Sequence, residues 1–552
     1  MCDERISKNI EILGFLSSDI NKFAQEYFTD QEAIKHFLDY IYSHPHIKSM
    51  MYIPLNTAIV VELYCSFANP GQQLPLTLTQ LYTELCLYLI RCYATDKKMD
   101  IKPEPSQEES FLARLNCMSD IVQEKLKKIA KVAFVGITKQ SIVFYDLPPD
   151  FEHMNFMNKC ETVVRFGKSK KSSFNFLHLT LQEFLAAFYI SMLPEEEQLK
   201  LLHNHQSEPR FSHIWRFLAG LTSFKTIRWD AFADTMRVSR CGSDMQMCNS
   251  LLANCLYEAQ DPSICSQVYS SSGHIVYSPM SATQYDYYTL GYCISNSPGK
   301  WKLCSIGGDG LAMLAAGIKS TLVDPKGIIE LIKLSYNGEK IGDLMELPDC
   351  ITEKLTELNL SNCDLKNSAC NSLAKLIPYL PDLERLDLGD NPFSEGGANS
   401  LLHSLSKLPK LYFLDLLHAK LSVEDVKALG ALIHPGGALK NLVVGSTTMS
   451  LTAKEEMVEV ILRDSNLRSL SIMNLDLAQS GSHLRKKLEG NKTLDRLMLW
   501  DRSFCIEGCV EVVRALETNH TLKSLTLMPW YQFHIPESLF EHQSRINWFY
   551  YH

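Results

Sequence analysis

Leu355-Thr-Glu-Leu-Asn-Leu-Ser-Asn-Cys-Asp-Leu365 is followed 28 residues later by Leu383-Glu-Arg-Leu-Asp-Leu-Gly-Asp-Asn-Pro-Phe393. The shared frame, Leu-x-x-Leu-x-Leu, starts again at Leu411, Leu439, Leu467, Leu494 and Leu522, at a spacing of 28 with a single 27. A weaker copy, Ile329, Ile332 and Leu334, lies 26 residues upstream of Leu355. Ten residues after each of the first six starts comes another apolar residue (Leu365, Phe393, Leu421, Met449, Leu477, Phe504). Further on stand Leu373 and Ile377, Leu401 and Leu405, Leu429 and Ile433, Met457 and Ile461, each pair four apart. The first cluster alternates as a strand does, and the second has helical spacing. Each unit is a strand, a turn and a helix with an apolar edge that it cannot bury alone, so the units must stack.

This periodicity specifies a leucine-rich-repeat solenoid, and the 28-residue unit with a helix resembles the ribonuclease-inhibitor type. The turn position that often carries Asn or Cys is Cys363 and Asn391 in two copies, then Ala419, Thr447, Leu475, Arg502 and Trp530. Later turns must satisfy their backbone in another way. Residues at plus two, four and six alternate with the buried leucines and face the concave side. They are polar or charged at first (Glu357, Asn359, Ser361, Arg385, Asp387, Gly389), then increasingly apolar. Phe413, Asp415, Leu417, Val443, Met473, Arg496, Met498, Trp500 and Met528 form the expected partner-binding surface, since soluble proteins seldom leave large apolar patches open. Trp500 is expected at its centre, clear of the core. The alternative use of that face is to be covered by the aromatic tail, Trp530, Tyr531, Phe533, Phe540, Trp548, Phe549, Tyr550 and Tyr551, whose expected role is to cap the last repeat.

Outward from the repeats, 552 residues exceed one core. A formal charge of −9 argues against a dedicated nucleic-acid or anionic-membrane binder. The longest strongly apolar run, Phe184 to Leu193, is too short to span a bilayer. Seventeen cysteines without a Cys-x-x-Cys pair read as small core residues in a reducing compartment. Cys241, Cys248 and Cys255, spaced by seven, are expected near one helix face as packing, and Cys505 with Cys509 likewise. No metal set and no nucleophile triad stands out.

Residues 1–193 read as mostly helical, with helices from Ser18 to Phe28, Gln31 to Ser43, Thr77 to Tyr93 and Ile121 to Phe134. Two β-like runs, Thr162 to Phe166 and Ser173 to Phe176, flank a basic turn with Arg165, Lys168, Lys170 and Lys171; helices followed by such a hairpin suggest a winged helix. The stretch Phe174-Asn-Phe-Leu-His-Leu-Thr-Leu-Gln-Glu-Phe-Leu-Ala-Ala187 resembles the end of the winged-helix subdomain in the NLR family, the nucleotide-binding, leucine-rich-repeat receptors with a NACHT ATPase. Glu11 to Phe28, Met51 to Leu55 and Tyr285 to Ile294 resemble further parts of the same family in the same order. The resemblance implies that His178 contacts the β-phosphate of ADP and that Pro54 touches the adenine. Their plain readings are a helix-capping histidine and a helix breaker. Gln182, Glu183 and Phe184 are expected to be structural.

One departure from the family is large. A phosphate-cradling Gly-x-x-x-x-Gly-Lys-Ser/Thr loop is absent from the sequence, and Gly167-Lys168-Ser169 is only an echo of it. The expectation is a truncated NLR chain that is not an enzyme and holds no cofactor by itself, ADP or ATP entering only with an upstream NACHT core. The expected class is α plus α/β: a helical subdomain (1–70), a winged-helix subdomain (75–193), a helical bridge (194–328) and the repeats with an aromatic cap (329–552). The implied function is cytoplasmic innate-immune sensing or regulation, with a protein or microbial ligand on the concave face, self-association through the NACHT module, no nucleic acid and no membrane span. The alternatives are a non-enzymatic repeat scaffold or inhibitor, and a winged-helix transcriptional regulator resting on the basic turn alone.

Overall fold

The computed structural model describes residues 15–66, 74–99, 111–145, 147, 151, 154–163, 170–206, 208–222, 245–248, 250–269, 274–278, 282–307, 310–321, 324–334, 344–345, 347–391, 393–463, 466–501, 505–529 and 544–548. The chain forms two compact units, one of Met1–Cys241, Met247–Ser271 and Ala282–Ser297, the other of Gly242–Gln246, Ser272–Ser281 and Pro298–His552.

In the first unit the helices begin where capping chemistry places them. Asp30 accepts from Ala33 N to open Gln31–Ser43, and Thr77 accepts from Gln80 N to open Leu78–Asp96. The first helix is Ser17–Tyr27; Asp19 lies inside its first turn and accepts from Leu16 N, so it is not the cap residue. The apolar segment from Ile47 is two short-linked helices, Pro45–Met50 and Pro54–Ser66, each opened by proline. Asp120–Thr138 packs against Leu179–Ser191. Between them Met157–Val163 pairs antiparallel with Lys170–Phe176, and Phe144 exchanges two 2.8 Å backbone bonds with Phe174. The hairpin thus starts five residues before the expected Thr162, and the side chains of Arg165, Lys168, Lys170 and Lys171 lie outside the described residues.

The core of this unit is aromatic. Phe184 is fully buried against Phe217 at 5.3 Å and Phe111 at 5.6 Å, with Tyr82 at 6.2 Å. Such rings bury large areas and gain from edge-to-face geometry. A buried carboxylate also holds distant segments together. Glu258 accepts from Thr79 N at 2.9 Å and Thr79 Oγ1 at 2.7 Å at the start of Leu78–Asp96, and also from the Tyr285 hydroxyl. An anion at a helix N-terminus meets unpaired N–H groups and the positive end of the dipole. Arg216, 3.9 Å from Glu258, lies over the Tyr285 ring at 4.5 Å.

In the second unit every strand from His274–Tyr277 to Ile546–Trp548 lies parallel to the next, in sequence order. The frame leucines are buried to 2% exposure or less in all seven copies (Leu358, Leu386, Leu414, Leu442, Leu470, Leu497 and Leu525 among them). Each such side chain contributes about 1.5–3 kcal/mol on burial. Helices Asn367–Leu376, Asn399–Leu405, Val423–Gly430, Leu451–Ile461, Leu477–Gly490 and Ile506–Arg514 pack side by side. The expected helical bridge to residue 328 is corrected: it contains His274–Tyr277 and Lys300–Ile306, which join the same sheet ahead of Ile328–Leu334. Their hydrophobic alternation is short and lacks the leucine frame, so a 28-residue search passes over them.

The turns divide into two solutions. Asn391, 2% exposed, accepts from Cys363 N and Leu365 N at 3.0 Å and donates to Leu360 O and Leu388 O at 2.8 Å. In later repeats the asparagine moves ahead of the strand. Asn491 accepts from Thr493 N and Leu494 N, while Asn519 accepts from Thr521 N and Leu522 N and donates to Leu488 O and Asn491 O. At the carboxyl end Ile546–Trp548 adds an edge strand, and Arg545 donates to the carbonyls of Leu516, Asn519 and Leu522. Apart from the backbone of Trp548, the expected aromatic cap lies outside the described residues.

Candidate functional site

The concave face is a set of registered rows. One row runs Glu357, Arg385, Phe413, Asn441, Ser469, Arg496, Ser524; the next runs Lys333, Asn359, Asp387, Asp415, Val443, Ser471, Met498, Thr526. Parallel strands bonded in constant register bring residues one repeat apart side by side. A third row pairs Leu417 with Gly445 and aligns Met473, Trp500 and Met528.

The first half of this face is charged. Asn359, Asp387 and Asp415 each accept from the backbone N–H two residues on, at Ser361 (3.2 Å), Gly389 (3.1 Å) and Leu417 (2.8 Å). These side chains hold the strand end by mimicking a turn bond. Asn359 Nδ2 also donates to Asp387 Oδ2 at 2.9 Å. Arg385 is 3.8 Å from Glu357 and stacks its guanidinium 4.0 Å from the Phe413 ring centre, while His418 is 3.4 Å from Asp390. Burial pushes the Asp415 carboxyl up to about 6, the Leu417 N–H opposing and the Asp387 and Asp390 charges reinforcing it.

The second half interleaves apolar side chains with Asn441, Ser469, Ser471, Arg496, Ser524 and Thr526, and is less open than its residue types imply. Met498 is 37% exposed, and Arg496 on the same strand is exposed. Phe413, Leu417, Val443, Trp500 and Met528 are half-buried. Met473 is corrected from surface to core: it is 4% exposed. Its backbone sits against Gly445, where φ is +123° and an added Cβ would come within 2.1 Å of Met473 O. Trp500 does not stand clear of the fold either.

His178 is the N-cap of Leu179–Ser191, its Nδ1 accepting from Thr180 N at 3.2 Å. That bond leaves the proton of the neutral ring on Nε2. Desolvation lowers its pKa, with His213 acting the same way and Glu183 opposing. Glu183 pairs with His213 at 3.0 Å, and buried Gln182 donates to Ala133 O and Ser141 O. The first turn borders an open groove of about 590 Å³ lined by Gln140, Ile142, Leu179, Glu183 and Arg210. Pro54 is exposed at the start of its helix. The turn before it is fixed by Asn56 and Thr57, which donate to Met50 O and Met51 O. One histidine donor and a proline do not cradle a nucleotide by themselves.

The described residues contain no group of three or more metal-ligating side chains. Cys248 ends the strand Met245–Cys248 while Cys255 lies in a helix, so the three cysteines spaced by seven do not share one helix face; Cys241 is outside the described residues. Cys505 caps Ile506–Arg514 and Cys509 is buried. No helix among the described residues is long and apolar enough to cross a membrane.

No family model matches the sequence. Human "NACHT, LRR and PYD domains-containing protein 12" is 22% identical over 94% of this chain and 56% of its own length. Protein NLRC5 of Ictalurus punctatus is 24% identical over 80% of this chain and 25% of its own. The ribonuclease inhibitor of Sus scrofa is 24% identical over 36% of this chain and 51% of its own. The chain thus spans about half or less of the relatives it matches. The similarity to these two proteins runs through both the helical unit with its Phe174–Ala187 motif and the registered repeats, so most of the chain resembles members of the NLR family.

Proposed function

We propose that this chain is an NLR-like sensor or regulator of cytosolic innate immunity whose repeats bind a protein or microbial ligand on the concave face. The observation that carries this reading is the registered concave face, charged in its first half and carrying Val443, Met498, Trp500 and Met528 in its second. Similarity to NLR proteins over most of the chain supports it. The helices and hairpin up to residue 193 serve as helical and winged-helix parts of a NACHT-type module, through which the protein self-associates. His178 offers its Nε2–H to the β-phosphate of ADP, and Pro54 packs on the adenine, when a phosphate-cradling loop is supplied. The 552 residues contain no such loop, so this chain alone neither hydrolyses ATP nor retains a nucleotide.

The test is proximity labelling in cells with the full chain, comparing the natural sequence with Met498→Glu. The expected result is a set of proteins labelled by the first and lost with the second. An identical set from both, with both folded, overturns concave-face recognition. Steady ATP turnover by the purified chain overturns the second half of the reading.

A second reading, a non-enzymatic scaffold or inhibitor, is favoured by the match of the repeat region to ribonuclease inhibitor. Inhibition of a pancreatic-type ribonuclease at equimolar chain would select it.

A further inference from the structure

The two halves of the concave face are set at a distance that an extended peptide can span. Asp387 and Asp415 are neighbours in one row, with Gly389 beside them. The point where a Cβ of Gly389 would stand is 3.1 Å from Asp415 Oδ1 and 3.4 Å from Asp387 Oδ1. Two carboxylates therefore converge on the space that this glycine leaves. The hydrogen bonds they accept come from neutral donors, Asn359 Nδ2 and the backbone N–H groups of Gly389 and Leu417. Glu357 and Asp390 add negative charge nearby, where Arg385 and His418 are the facing cations. Burial and neighbouring charge raise the Asp415 pKa, which is the behaviour of a carboxylate that would gain from a cation.

Along the same row, Met498 lies three strands beyond Asp415, through Val443 and Ser471. Strands are spaced about 4.8 Å apart, so Asp415, the nearer carboxylate, and the exposed Met498 are about 14 Å apart. An extended segment rises about 3.3 Å per residue, so four residues cover about 13 Å. Residues four apart in such a segment also point to the same side. Arg496, exposed beside Met498, repels a cation at that end and so favours the apolar side chain there.

We infer that the concave face recognises an extended segment of a partner protein that carries a lysine or arginine four residues from a large apolar side chain. The cation sits on Asp415, with Asp387 behind it, and the apolar side chain lies on Met498 and the edge of Trp500. Main-chain spacing supplies the match between them, since five residues would turn one of the two side chains away. This rests on the concave-face reading proposed above and specifies its partner.

The experiment pans a displayed library of random linear dodecapeptides on the purified full chain. Enriched sequences are then synthesised with a fluorophore and titrated by anisotropy. The expected enrichment is Lys or Arg four residues from Leu, Phe, Met or Trp, in either order. Moving the pair to a spacing of five, or replacing the cation by Glu, should weaken binding at least tenfold. The double variant Asp387→Asn, Asp415→Asn should erase the preference for the cation, and Met498→Glu should abolish binding; circular dichroism confirms that each variant is folded. Peptides without the cation that still lose binding to Met498→Glu would overturn this pairing and leave the concave site standing. Peptides indifferent to both variants, or no enrichment, would count against both.

Discussion

Asn391→Ala should open one repeat without unfolding the solenoid. The side chain is 2% exposed and makes bonds of 3.0 Å from Cys363 N and Leu365 N, and of 2.8 Å to Leu360 O and Leu388 O. Alanine removes all of them and leaves two buried N–H groups without their acceptor, each costing about 1–3 kcal/mol. Water admitted to the turn recovers part of this, so about 3 kcal/mol is expected, roughly a 150-fold change in a local opening constant. Repeat proteins couple mainly to nearest neighbours, so the loss should stay close to its source. Hydrogen exchange read by mass spectrometry is the suitable assay. Peptides covering 358–366 and 386–393 should exchange about 100-fold faster or more, and a peptide covering 467–475 should be unchanged. Exchange altered less than threefold at 358–366 would refute the claim that this asparagine holds the turn.

Asp415→Asn keeps the Oδ1 acceptor for Leu417 N and removes a disfavoured charge. The folded pKa, about 6, lies above the ordinary aspartate value, so the protonated form favours folding and that stability is lost as pH rises through 6. The variant should be more stable than the natural chain by about 1–3 kcal/mol at pH 7.5 and equal to it near pH 4, seen in urea unfolding at both values. Gly445→Ala, at φ +123° and with Met473 O 2.1 Å from the new Cβ, should lose about 2–4 kcal/mol and lower the melting temperature. Met498→Ala, on an exposed side chain, should change stability by no more than about 0.5 kcal/mol. Trp500→Ala, on a half-buried ring, should cost about 1–3 kcal/mol, and equal melting curves for the two would show that the Trp500 ring is as solvated as the Met498 side chain.

The repeat register is legible because it is a one-dimensional property. A strand–turn–helix unit of 28 residues places its leucines by counting alone, and every frame leucine from Leu355 to Leu527 is buried. Local capping is legible for the same reason, since Asp30 and Thr77 act on N–H groups three residues away. Even the Asn359, Asp387, Asp415 series could have been read as strand-end turns, because each accepts from the residue two positions on. The plain reading of His178, a helix cap, is likewise a contact between residues two apart. What lies outside counting is depth and convergence. Met473 and Met498 are the same residue type on neighbouring strands, yet one is 4% exposed and the other 37%, and a glycine in the neighbouring repeat lets the Met473 backbone close in. Glu258 and Thr79 are 179 residues apart, and nothing local to either announces a buried carboxylate on a helix end. The same holds for Asp387 and Asp415, 28 residues apart in sequence, whose oxygens meet above Gly389 only when parallel strands set one repeat beside the next. The sequence by itself determined which residues share a face. Tertiary packing alone decided how deep each side chain sits and which charges meet, because burial and distance depend on neighbours that the chain brings from far away.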